Sequence, residues 1–86
     1  MNYLHLGKGT VVSSAAIVGI FDLDITSQSH LTRRFLREAE QRGQVVNAAE
    51  DIPKTFVLFQ EGGTTQVYLS QMAAATLLRR AESGQL

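Results

Sequence analysis

Two periods of apolar spacing divide the chain into elements. In residues 2–6, NYLHL, Leu4 and Leu6 alternate with Tyr3 and His5, the period of two that sends successive side chains of a strand to opposite faces. A three-residue Gly7-Lys8-Gly9 turn then leads into TVVSS, which predicts a hairpin. AAIVGIFDLDI is β-branched and apolar at both alternating sets of positions. That predicts a strand covered on both faces, central in a sheet or with one face against a neighbouring subunit. In SQSHLTRRFLREAEQRG the period becomes helical. Leu31, Phe35, Leu36 and Ala39 fall on one face, Ser27 or Ser29 caps the first amides, and Gly43 supplies a left-handed stop.

A short strand is expected over residues 45–47, followed by the loop AAEDIP, where Pro53 blocks a helix and biases Ile52 towards extended backbone. TFVLFQ and TQVYLS flank Glu61-Gly62-Gly63-Thr64 as a second hairpin. Ser70 is placed to cap a last helix in QMAAATLLRRAES, which ends before Gly84. The order β-β-β-α-β-β-β-α, with no repeat or linker, predicts a single small α+β domain over residues 1–82. Its sheet is largely antiparallel and carries two helices, with residues 83–86 as a flexible C-terminal tail.

Composition narrows the function classes. A core built from 86 residues is marginally stable, and with no cysteines there is neither a disulfide nor a thiolate metal site to staple it. Oligomerisation is the remaining support, and the doubly apolar strand, with Val18, Ile20 and Phe21, is the expected interface. No apolar run approaches the roughly 18 residues needed to span a bilayer, and no basic-then-apolar leader opens the chain. A cytoplasmic protein without membrane contact is therefore expected. Eight basic and eight acidic side chains cancel, so any nucleic-acid role must rest on local clustering rather than overall charge.

The candidate chemistry is sparse. LGKGT has the look of a phosphate loop, but a Walker loop needs four residues between its first glycine and its Gly-Lys-Ser/Thr end, and a helix N-terminus behind it. Here strands are expected on both sides, leaving Lys8 at a turn. Asp22 and Asp24 lie on one side of an extended segment, a spacing that suits a divalent cation, yet two ligands make an incomplete set. Ser13 or Ser14 with His5 and an aspartate has no nucleophile elbow around either serine. On the first helix Arg34, Glu38 and Arg42 form a self-neutralising ladder, whereas Arg33 and Arg37 share a face with only Glu40 near Arg37. Arg79 and Arg80 close the last helix, where its dipole favours cations. Lys54 stands at the mouth of a loop. No catalytic residue, cofactor or metal is expected.

HLGKGTVVSSAAIVGIFDLD, IPKTFVLF and YLSQMAAATLLRR together resemble the RemA/RemB family of small bacterial regulators of extracellular matrix (biofilm) genes. The RemB-like branch is nearest, through the initial HLG, VVS followed by IVGIFD, Pro-Lys before a strand, and Tyr-x-Ser before a final helix ending in paired basic residues. The similarity covers about residues 1–80. It implies a protomer like the LytTR type of DNA-binding domain, assembled as a ring-shaped homo-oligomer that binds DNA and activates matrix operons. A ring repeats weak phosphate contacts, so a neutral protomer is compatible with wrapping duplex DNA. The arginines that the resemblance ties to DNA in the RemA branch fall here at Ala16 and near Ile52 and Pro53, none of them basic.

The leading expectation is thus a RemB-like regulator whose DNA contacts, through the phosphate backbone, come from Lys8, Arg33, Arg37 and Lys54. The alternative is an oligomeric structural or protein-interaction module that does not bind DNA, including one that mixes with a RemA-type paralogue. A small nucleotide- or metal-binding protein comes third.

Overall fold

The computed structural model describes residues 3–26 and 28–83; the expectations at Asn2, at Ser27 and for residues 84–86 of the tail lie outside these. β1 (Tyr3–Gly7) and β2 (Thr10–Ser13) form an antiparallel hairpin that stands as its own two-stranded sheet. A 3-10 turn, Ser14–Ala16, leads into β3 (Ile17–Asp22). Then come α1 (Leu23–Thr26), α2 (His30–Gln41), β4 (Val45–Asn47), β5 (Thr55–Glu61), β6 (Thr64–Ser70) and α3 (Ala74–Ser83). The main sheet runs β3-β5-β6-β4, with β4 parallel to β6 and the other neighbours antiparallel.

The α+β class and the mainly antiparallel pairing are as expected, with three corrections to the elements. β3 is an edge strand, not a central one, and it is shorter than AAIVGIFDLDI. Its register slips between Ile17 and Gly19, and Val18, at this bulge, is 60% exposed. The strand buried on both faces is β5, whose Thr55, Phe56, Val57 and Phe59 are all buried. Secondly, a one-turn helix, α1, takes over from β3 at Leu23, because the Asp22 Oδ1 accepts the Asp24 amide at 2.8 Å and caps the turn. Finally, Ser70 does not cap α3. It ends β6 fully buried, and its hydroxyl is committed elsewhere.

Alternation along β5 separates two apolar layers. Val57 and Phe59 pack with Leu4 and Leu6 of the hairpin and Leu77 of α3, whereas Phe56 meets Ala39 of α2 and Val67 on the opposite face. The hairpin with α3, and α2, therefore sandwich the sheet. Helix α2 starts and stops as its sequence predicts. Ser29 Oγ accepts the Thr32 amide, and at Gly43, φ 70°, the Gly43 and Gln44 amides bond back to the Glu40 and Ala39 carbonyls. Its apolar face is narrower than expected: Leu36 and Ala39 reach the core, but Leu31 is 73% and Phe35 38% exposed.

One side chain ties the hairpin to the sheet. Ser70 Oγ donates to the Leu6 carbonyl at 2.7 Å and accepts the Met72 amide at 3.1 Å. Ser70→Ala leaves a buried carbonyl and an amide without their partner, and is expected to cost about 2 kcal/mol. Urea unfolding checks this; a loss below about 0.5 kcal/mol, the size of an ordinary surface substitution, would mean that the hydroxyl is not the tie.

Candidate functional site

Lys8 sits exposed at the tip of the β1–β2 hairpin. The turn is tighter than the expected three residues: Gly7 pairs with Thr10, leaving Lys8 and Gly9 as the loop with φ 48° and 73°. Two left-handed residues in succession are the geometry that matches the twist of a hairpin. LGKGT is thus a strand-to-strand turn with no helix behind it, and the nucleotide reading loses its structural basis.

Lys54 lies at the same end of the molecule. Its amide donates to the Ser70 carbonyl at 2.9 Å, and its own carbonyl accepts the Leu23 amide at 2.8 Å. Ser70 in turn holds Leu6, two residues before Lys8. Lys8 and Lys54 therefore lie at one end of the sheet but on opposite sides of Ser70, since Gly7, next to Lys8, seats against Ala48 just past β4, whereas Lys54 precedes β5. Helix α2 starts after β3 has ended at that same end, where Asp22 pairs with Thr55 and Thr55 with Ser70. Arg33 and Arg37 are exposed on α2, which covers the sheet face opposite the hairpin. The two lysines share one end of the sheet, and the two arginines lie on the other layer. Of the predicted ladder, Arg34 pairs with Glu38 at 3.3 Å in an exposed position, worth little, and Arg42 makes no ion pair among the described residues.

Sequence reading did not foresee the surroundings of Lys54. A shallow depression of about 430 Å³ is lined by Asp24, Asp51, Ile52, Pro53, Lys54 and Gln71. Gln71 shapes it, since its Oε1 accepts both the Glu50 and Asp51 amides at 2.8 and 3.1 Å. The signal was faint: a single amide side chain just past a strand end, reaching a loop some twenty residues earlier. Two carboxylates beside one ammonium leave this depression acidic overall. Ile52 is 80% exposed there, while Ala16 precedes the opposite end of the sheet, where Ile17 pairs with Phe59.

The other constellations come apart. Asp22 and Asp24 do not present a parallel pair of carboxylates, because Asp22 caps the helix that contains Asp24. Ser13 and Ser14 precede β3 and Asp22 ends it, so six extended residues, roughly 20 Å, separate the serines from that carboxylate. The expected interface residues also divide. Val18 and Ile20 line a groove of about 470 Å³ against Leu78 and Ala81 of α3. Phe21 lies on the other face, stacked on Phe56 at 4.8 Å. No helix among the described residues is long and apolar enough to cross a membrane.

Two comparisons bear on this architecture. The family model described as RemA-like, extracellular matrix regulatory protein A-like, matches residues 3–81. Over 80 residues the chain is 35% identical to the extracellular matrix regulatory protein B of Bacillus subtilis (strain 168), covering 93% of this chain and 90% of that protein. With nearly every described element inside both matches, this chain belongs to the RemA-like family of extracellular matrix regulatory proteins.

Proposed function

We propose that the chain regulates extracellular matrix genes in the cytoplasm as a ring-forming homo-oligomer that contacts the phosphate backbone of duplex DNA. The observation that supports the reading is the position of Lys8 and Lys54 at the same end of the sheet, on opposite sides of Ser70. Arg33 and Arg37 on α2 add positive charge from the opposite layer. A protomer of zero net charge offers only a few such contacts, and repetition around an assembly multiplies them. The second copy docks along the open edge of β3, where Val18 and Leu78 are 60% and 50% exposed.

Fluorescence anisotropy with a labelled duplex tests this reading. Were about four phosphates neutralised, raising salt from 50 to 200 mM would weaken binding about a hundredfold. The double charge reversal Lys8→Glu with Lys54→Glu is expected to abolish binding at the higher salt. Absence of binding by the assembled protein at low salt, or an unaffected double variant, would refute the DNA role.

The acidic companions of Lys54 favour one further reading, a protein-interaction module with the same oligomer and no DNA, which could include a RemA-type paralogue as partner. A partner complex that survives nuclease treatment, alongside a blank anisotropy titration, would select it.

A further inference from the structure

We propose that the cleft between the β1–β2 hairpin and the turn end of β5–β6 binds a small organic cation with an apolar body, an alkylguanidinium or alkylammonium. It is independent of the lysine end, which lies at the other end of β5. In the β5–β6 register Glu61 pairs with Thr64 and Phe59 with Gln66, so these side chains and Tyr68 project towards the hairpin. Nearer the middle of the sheet, Leu4, Leu6 and Leu77 seal that face. Towards the turn the cover stops, and a half-enclosed cavity of about 360 Å³ opens between the sheet and a wall made by Val12 and Ala16. That is at the small end of the range of roughly 300–1,000 Å³ found for ligand pockets.

The cavity is graded from apolar to charged. Its floor is the Phe59 ring, 5% exposed, with Tyr68 edge-on at a centroid distance of 5.0 Å. Around it stand Ser13, Glu61, Gln66 and Tyr68, and none of these side chains hydrogen-bonds within the described residues. That contrasts with the far end of the sheet, where Thr55, Ser70, Asn47 and Gln71 all have partners. Convergent polar groups left uncommitted over an apolar floor are what a ligand site requires.

Charge fixes the class of ligand. Among the described residues, Glu61 is the one carboxylate on the lining, and no lysine or arginine shares it. A guanidinium at the exposed mouth meets Glu61 and the Gln66 carbonyl oxygen, the former in the planar geometry that favours two parallel hydrogen bonds. Its alkyl body lies over Phe59 and Val12, and the tyrosine ring adds cation–π attraction.

The test is a titration of the full-length protein followed by amide chemical shifts, with n-butylguanidinium and its neutral counterpart n-butylurea. Butylguanidinium is expected to move the amides of Ala16, Gln66 and Tyr68 saturably and to bind at least fivefold more tightly than the urea. Glu61→Gln, at an exposed turn position, should erase that preference while leaving the rest of the spectrum in place. Equal affinity for both probes, no saturable shift at those amides, or an unchanged preference in Glu61→Gln would overturn the proposal. So would the same shifts of Gln66 and Tyr68 appearing on raising protein concentration without probe, since another copy would then occupy the cleft.

Discussion

Gly7→Ala is expected to cost about 3 kcal/mol or more, a large part of the roughly 5–15 kcal/mol that holds a small domain together. Two separate effects add at this residue. Gly7 has φ 124°, a backbone conformation that residues with a side chain rarely adopt. An added Cβ would also stand 2.6 Å from the Ala48 carbonyl oxygen, inside van der Waals contact. Neither side has room to retreat. Ala48 is fully buried and its amide is bonded to the Leu69 carbonyl at 2.8 Å, while the neighbouring Leu6 carbonyl is held by Ser70. Gly9→Ala is the control. At φ 73°, with nothing within 4 Å of its added Cβ, it is expected to cost only about 1–2 kcal/mol. Urea unfolding of both variants separates steric approach from backbone preference. If Gly7→Ala proved no worse than Gly9→Ala, the close seating of the hairpin on the segment after β4 would be refuted.

That seating shows why parts of the fold were legible and parts were not. The hairpins and α2 could be read because their signals are local: alternating Leu4 and Leu6, glycines at the turns, Ser29 and Gly43 at the helix ends. The place of β3 was misread because an apolar run has the same appearance whether a sheet or solvent covers its second face. Here Val18 at the bulge is open to solvent, and Phe21, stacked on Phe56, is only partly covered. Likewise Ser70 announces a helix cap by its position before QMAAAT, but the hairpin returns across the sheet and claims its hydroxyl, a contact sixty-four residues away in sequence. Lys8 and Lys54 were legible as exposed cations, not as residues of one end of the sheet. Their placement at one end depends on that same long-range bond, and the acidity around Lys54 depends on Gln71 bending the loop. The cleft over Phe59 was invisible for a related reason, since Glu61, Gln66 and Tyr68 share a face only once the β5–β6 register is set.

Two adjacent leucines on α3 test the division between core and open surface. Leu77 is fully buried and packs between the hairpin and β5, whereas Leu78, one residue on, is 50% exposed beside the groove with Val18. A helix turns about 100° per residue, so neighbours in sequence face different surroundings. Leu77→Ala is expected to cost about 3 kcal/mol, the transfer of its side chain plus the cavity left behind. Leu78→Ala removes no core contact, and the loss in the isolated fold should stay within about 0.5 kcal/mol. If a second copy docks along β3, Leu78→Ala should instead lower self-association, read by sedimentation velocity across a dilution series. Because association itself stabilises the folded chain, both unfolding curves must be taken at one protein concentration, low enough to dissociate the assembly. Equal destabilisation by the two substitutions would refute the assignment of Leu78 to an open surface. A Leu78→Ala protein that sediments as the unsubstituted chain does would move the interface away from this groove.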